Sequence, residues 1–479
     1  MGSASNANQM RRVLASDLED LPDPLPIPPL AAPFNVDITP PGSKSITNRA
    51  LLLAGVASGH SLLRRPLIDA DDSERMLSAL ERLGAHIEHH MRDDGVTRDL
   101  RVRGVGGRLR GDTALYLGNA GTAMRFITAM SVLADGQVLL DGSARMRQRP
   151  IGQLATVLRG LGAGVEFSGE SGFPPLKITP PQELRHRGHM VLPSAASSQF
   201  ISALLMLAPW LPGGVTLELR GHITSKPYIV MTLELLRRLG AQNVAASSDF
   251  SKIHVGHGPL DGFTIDIEPD ASGATYFWAA AAMTPGATCR IRDLSSKSIQ
   301  GDARFPAALT AMGATAGFRD NAIGVAAPRS TGSADRSAPA LHGVRIDLGA
   351  MPDTAMTLAS VCCFASGPSE ISGLRTLRIK ETDRIGAMKS ELEKIGVGVE
   401  IFEKDDDEGI RITPPSQGVD CSPDCPRIEF DTYDDHRMAM SLALIGLRRP
   451  NVFIRDPGCV AKTYPEFWAH LSTLYGDAG

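Results

Sequence analysis

The sequence predicts an α/β (α+β) protein of two lobes with three repeats in each. The main observation is a helix-like phrase that returns along the chain. It occurs at Met76–Glu88, Leu154–Glu166 and Leu233–Val244, then more weakly at Ala308–Ala314, Met388–Val397 and Phe467–Gly476. Each copy runs apolar residues at helical spacing into a glycine: Gly84, Gly162, Gly240, Gly313, Gly396 and Gly476. Glycine after such a run is a helix stop, because it adopts the left-handed backbone that ends a helix. The six glycines stand roughly 80 residues apart, too far for a solenoid repeat and far enough for a small α/β subdomain. The second observation is length, since 479 residues exceed what one hydrophobic core serves.

Taken in order, residues 1–30 are polar and then proline-rich, and they lack the continuous apolar run of a secretory signal. They are expected to form a flexible tail. A strand-like segment precedes Pro41, and a second transition lies where Phe263–Glu268 leads into Pro269. These set the expected lobes: 42–266 for one, and 31–41 with 267–479 for the other, with the active site in the cleft between them. The net charge of −4 and sparse aromatic residues argue against a nucleic-acid surface, and no apolar run reaches membrane-span length. Of six cysteines, Cys362 and Cys363 lie in an apolar segment, and Cys421 and Cys425 lack the second pair of a zinc site, so free thiols in a reducing cytosol are expected.

The chemistry gathers at helix starts. Pro41–Arg49 joins a Pro-Gly turn to a helix, with Ser43 or Ser45 as cap and Lys44 and Arg49 nearby. Free backbone N–H groups there favour an anion. Leu117–Arg125 repeats this logic, with Asn119, Thr122 and Arg125 around Gly121, where a missing side chain allows close approach. Arg145, Arg147 and Arg149 follow, and guanidinium forks suit phosphate and carboxylate. Pro193–Phe200 holds Ser197, Ser198 and Gln199; Thr224–Tyr228 adds Ser225 and Tyr228. Later come Asp353, the cluster Lys380–Arg384, the run Asp434, Asp435, His436 and Arg437, and Lys462. No second histidine group stands at ligand spacing from His436, so no metal is expected. Many cationic helix starts in a nearly neutral chain suit a small, multiply anionic substrate pair.

Together these phrases resemble the 5-enolpyruvylshikimate-3-phosphate synthase family. Over roughly Phe34 to Leu474 the chain carries Pro-Gly-Ser-Lys-Ser-Ile-Thr-Asn-Arg, Gly-Asn-Ala-Gly-Thr-Ala-Met-Arg, Arg-Pro-Ile-Gly, Ser-Ser-Gln-Phe, Lys-Glu-Thr-Asp-Arg, Asp-Asp-His-Arg-Met-Ala-Met and Ala-Lys-Thr-Tyr-Pro. The resemblance implies the two-lobed enolpyruvyl transferase fold of six βαβαββ units. It implies transfer of the enolpyruvyl group of phosphoenolpyruvate to the 5-hydroxyl of shikimate 3-phosphate, through a tetrahedral intermediate. On that resemblance, Asp353, Glu381 and Lys44 are catalytic. Lys44, Gly121, Arg149, Gln199, Arg384, Arg437 and Lys462 attend phosphoenolpyruvate. Lys44, Ser45, Arg49, Ser197, Ser198, Gln199, Ser225, Tyr228, Asp353 and Lys380 attend shikimate 3-phosphate. It implies no cofactor, a cytoplasmic monomer, and sensitivity to glyphosate, although Phe126 replaces a proline common in the family.

Two rival readings remain. The sister enzyme that uses UDP-N-acetylglucosamine typically has Lys-Asn in the first motif and a reactive loop cysteine; here Lys44 is followed by Ser45, and no cysteine precedes Cys289. A non-catalytic metabolite-binding protein of this fold would be expected to lose some of Lys44, Asp353, Glu381 and Lys462, and all four are present.

Overall fold

The computed structural model describes residues 11–92, 98–184, 189–192, 197–221, 225–328, 341–404 and 407–476. Residues 1–10 of the expected tail, the start of the serine-rich turn at 193–196, and Thr224 lie outside the described residues. The chain divides into two compact units, one spanning Gly42–Glu268 and the other Met1–Pro41 with Pro269–Gly479.

Each unit contains three small sheets; five of the six have four strands in one order, and the sixth has three. In a representative repeat, Thr113–Tyr116 pairs parallel with Val138–Asp141, which pairs antiparallel with Leu176–Thr179, which in turn pairs antiparallel with Gly164–Phe167. Helix Gly121–Met130 connects the parallel strands and helix Gly152–Gly160 leads into the hairpin, giving βαβαββ. A parallel pair needs such a crossover, whereas the antiparallel pair needs only a turn. Two strands join their own unit from a distance in sequence. Asn35–Ile38 pairs with Thr288–Arg292, and Thr264–Asp266 pairs with His60–Arg64. Each supplies the first strand of a repeat whose remaining elements lie elsewhere in sequence.

The two helices of a repeat differ in kind. The first is buried nearly all round: Ala271–Met283 buries every residue, and Lys44–Val56 buries everything from Ile46 onward. Helices apolar on all faces belong in a core. The second, such as Asp71–Arg82, is amphipathic and covers one face of its sheet. Five of these second helices close alike. Gly84, Gly162, Gly240, Gly313 and Gly396 all have positive φ, and the following residue's N–H donates to the carbonyl five residues back, as Ala85 does to Leu80. That bond is the mark of a Schellman cap, which needs a left-handed residue at little steric cost. Gly476, the marker of the doubtful sixth copy, also has positive φ.

The expected flexible tail is corrected over residues 11–30. Leu25–Ile27 is a strand antiparallel to Val452–Ile454, and Leu14, Leu25 and Ile27 are buried in the core of their unit. The sixth repeat explains this. Its parallel pair, Ile428–Phe430 and Val452–Ile454, is present, but among the described residues no hairpin follows it. Leu25–Ile27 takes the antiparallel place that the third strand fills elsewhere. Leu25 and Ile27 sit two residues apart, so both face the core around an edge-tolerated proline. Gly446 permits the approach, since a Cβ there would overlap Ile27.

Candidate active site

The site-bearing motifs lie at or near the starts of helices of both kinds and in the turns beside them, and each unit is described separately.

In the unit Gly42–Glu268, Ser43 is the N-cap residue of helix Lys44–Val56, but its side chain makes no capping hydrogen bond. Lys44 extends to Asp72, with Nζ 2.9 Å from Oδ2. Arg49 is 2% exposed and ties three helices together. Its Nε donates to Thr232 Oγ1 (2.8 Å), its Nη1 to the Ser45 carbonyl (2.9 Å) and its Nη2 to Ser202 Oγ (3.2 Å). Its guanidinium carbon lies 5.3 Å from the Phe126 ring centroid. Burial draws the Arg49 pKa down to about 10. Tyr228 takes part through its backbone, whose carbonyl accepts from Thr232 Oγ1.

At helix Gly121–Met130, Arg149 donates from Nη1 to both the carbonyl and the side-chain oxygen of Asn119, each at 3.2 Å. A Cβ at Gly121 would overlap the Arg149 guanidinium, so glycine is what lets the cation lie against the helix start. Arg125 is buried beside it, donating to Pro150 O (2.9 Å) and Met146 Sδ (3.1 Å). Burial, and then the charge of Arg149, hold Arg125 well below its ordinary pKa. Ser197 caps helix Ser198–Leu207 by accepting from Gln199 N, and Gln199 Nε2 lies 3.5 Å from Thr122 Oγ1. Ser198 is buried. Ser225 is the N-cap of helix Lys226–Arg238 with a left-handed backbone, and its side chain makes no cap bond.

Among the described residues, the hydrogen bonds of Arg49, Arg125 and Arg149 go to hydroxyls, carbonyls, an amide oxygen and a thioether. Three buried guanidinium groups bonded only to neutral atoms are costly. An anion beside such a group would offset part of that cost.

In the other unit, Arg384 is the centre, 1% exposed, with four hydrogen bonds to three carboxylates. It donates to Asp435 (2.7 and 3.1 Å), to Asp353 Oδ1 (3.0 Å) and to Glu381 Oε2 (2.9 Å). Burial alone would lower its pKa, but Asp435, Glu381 and Asp353 outweigh burial and raise it. Around this core Lys380 Nζ is 3.3 Å from Asp353 Oδ1, Arg437 Nη2 is 3.5 Å from Asp353 Oδ2, and Lys462 Nζ is 3.7 Å from Glu381 Oε1. Asp435 also caps helix His436–Gly446, accepting from Arg437 N at 2.9 Å. Four cations thus meet three carboxylates, from motifs as far apart in sequence as Asp353 and Lys462.

Sequence reasoning missed Asp72, Ser202, Thr232 and Asp302. Ser202 and Thr232 each stand four residues after an assigned residue, Ser198 and Tyr228, so a helix-face argument reaches them. Asp72 carried only the signal of an acidic first turn. Asp302 is buried and accepts from Ser272 Oγ. Its pKa is pushed up to about 6, first by burial and then by the charge of Asp353, with Arg437 opposing. A carboxyl raised in the folded state stabilises most below its unfolded pKa, and this contribution is lost as pH rises through about 6. Asp302→Asn should therefore gain up to about 3 kcal/mol of stability at pH 8 and nothing at pH 4. Urea unfolding at both pH values reads this directly; equal gains at both would remove the titration argument.

The model of the family described as EPSP synthase (3-phosphoshikimate 1-carboxyvinyltransferase) matches residues 31–471. The chain is 43% identical over 441 residues to the 3-phosphoshikimate 1-carboxyvinyltransferase of Laribacter hongkongensis, covering 91% of this chain and 95% of that one. It is 41% identical over 432 residues to the protein of the same name from Ralstonia nicotianae, covering 89% and 94%. A solved structure of EPSP synthase from Acinetobacter baumannii superposes with a TM-score of 0.72 at 27% identity, covering 94% of this chain and 98% of the other.

Proposed function

The chain belongs to the EPSP synthase (3-phosphoshikimate 1-carboxyvinyltransferase) family, and from that premise we propose how its residues divide the work. The reaction moves the enolpyruvyl group of phosphoenolpyruvate to the 5-hydroxyl of shikimate 3-phosphate and releases phosphate, on the route to chorismate and the aromatic amino acids. Both substrates are small polyanions. The observation that carries the assignment is the set of buried guanidinium groups, Arg49, Arg125 and Arg149, which among the described residues bond only to neutral atoms. Such a set is pre-organised for anions.

Lys44, Arg149, Arg384, Arg437 and Lys462 hold the carboxylate and phosphate of phosphoenolpyruvate, with Gly121 and Gln199 beside them. Ser45, Arg49, Ser197, Ser198, Ser225, Tyr228 and Lys380 hold shikimate 3-phosphate, with Lys44, Gln199 and Asp353 touching that substrate as well. Asp353 removes the proton of the 5-hydroxyl as its oxygen bonds to C2 of phosphoenolpyruvate, and Glu381 delivers a proton to the methylene carbon. In the second half Glu381 takes a proton back from that carbon as phosphate leaves. Addition to a carbon–carbon double bond needs a proton given and a proton taken, and two carboxyls in different surroundings suit this. The cations stabilise the charge that develops in the tetrahedral intermediate.

The enzyme acts as a cytoplasmic monomer in this proposal. No helix among the described residues is long and apolar enough to cross a membrane. The test is phosphate release with both substrates present, repeated with glyphosate competing against phosphoenolpyruvate. Release should require both substrates. Binding without release would favour a non-catalytic protein, and an inhibition constant in the millimolar range would remove the expected glyphosate sensitivity.

A further inference from the structure

Helix Arg384–Glu393 grips one loop at two points. Near its start Arg384 holds Asp435 by both carboxylate oxygens. Seven residues later on the same face stands Glu391, a fully buried carboxylate with no part in the proposed chemistry. Glu391 Oε1 accepts from the Tyr433 hydroxyl at 2.7 Å, and Oε2 accepts from Asp431 N at 2.9 Å. Lys394 Nζ, 2.6 Å from Glu391 Oε2, also reaches Asp431 Oδ2 at 2.9 Å and the Glu429 carbonyl at 3.0 Å.

Between these anchors the chain does something unfavourable. Tyr433 and Asp434 are consecutive left-handed residues, with φ of 58° and 53°, and neither is glycine. Single residues of this kind are uncommon, and two in succession persist only where the surroundings impose them. The turn delivers Asp435. The Asp435 N–H bonds the Thr432 carbonyl at 3.0 Å, while its carboxylate holds Arg384 and caps Arg437 N. The strained turn therefore places the carboxylate that holds the Arg384 guanidinium and caps the backbone at Arg437.

We infer that Tyr433 and Glu391 are positioning residues for the phosphoenolpyruvate-binding arginines. The Glu391–Tyr433 bond holds the left-handed turn, and the turn sets Asp435, Arg384 and Arg437. The inference rests on the reading that Arg384 and Arg437 hold phosphoenolpyruvate.

The test is Tyr433→Phe, which removes one hydroxyl from a partly exposed ring and leaves the core alone. Losing a hydrogen bond to a charged group should raise KM for phosphoenolpyruvate about tenfold. KM for shikimate 3-phosphate should hold, and the melting temperature should fall by only about a few degrees, because Lys394 and Asp431 N still hold Glu391. Adding Asp434→Gly, which adopts the left-handed backbone without strain, should recover part of the loss. An unchanged phosphoenolpyruvate KM, a rise of both KM values together with a large drop in melting temperature, or no recovery from Asp434→Gly each overturns the inference. Arg437→Ala run in parallel separates the two layers. If Arg437→Ala raises this KM and Tyr433→Phe does not, the clamp is wrong and the substrate assignment stands; if neither moves it, both are wrong.

Discussion

A Glu381→Gln enzyme should bind both substrates and turn them over roughly a thousandfold more slowly, within the range that general acid–base catalysis contributes. The substitution is close to isosteric. Glu381 Oε2 accepts from Arg384 Nη2 at 2.9 Å and Oε1 faces Lys462 Nζ at 3.7 Å, and the amide oxygen of Gln keeps the first of these contacts. What it loses is the ability to carry a proton to the methylene carbon and back. The kcat should fall while the binding constants of shikimate 3-phosphate and phosphoenolpyruvate move little. The measurement is steady-state turnover together with equilibrium binding of each substrate. A kcat within tenfold of the parent would mean that another group handles the carbon-bound proton.

Arg384→Met should cost stability as well as activity. Among the described residues, Arg384 is the one cation that touches Asp353, Glu381 and Asp435 together. Its removal leaves three carboxylates close together, with Asp435 fully buried. Breaking a buried ion pair from one side costs about 3–5 kcal/mol, because the remaining charge has no compensation. Lys at this position keeps the charge but not the fork that meets Asp435 twice, so Arg384→Lys should fold better than Arg384→Met and still work poorly. Urea unfolding reads the difference. If Arg384→Met unfolds at the parental midpoint, Arg384 is a substrate ligand and not a support for its neighbours. This follows from its four bonds to protein carboxylates, which its motif alone did not reveal.

The repeat was legible because its signal is local. A left-handed helix stop selects glycine at one position, and the six marker glycines all have positive φ. The motifs were legible as helix starts for the same reason: caps and turns are made by neighbours in sequence. The tail was misread because its proline-rich composition resembles a linker, and the strand that receives Leu25–Ile27 lies at the far end of the chain. Ser43 was read as a possible cap, but its side chain makes no such bond.

The sequence by itself determined the α/β class, the six repeated units and the identity of the charged residues, since each of these rests on short-range pattern. Only the tertiary structure decided what those charges touch. Lys44 meets Asp72, Arg49 meets Ser202 and Thr232, Arg384 gathers Asp353, Glu381 and Asp435, and Glu391 grips Tyr433. Most of these partners lie on other elements, and which of them meet depends on how helices pack. A buried charge takes its energy from whatever surrounds it, and those surroundings exist only once the chain has folded.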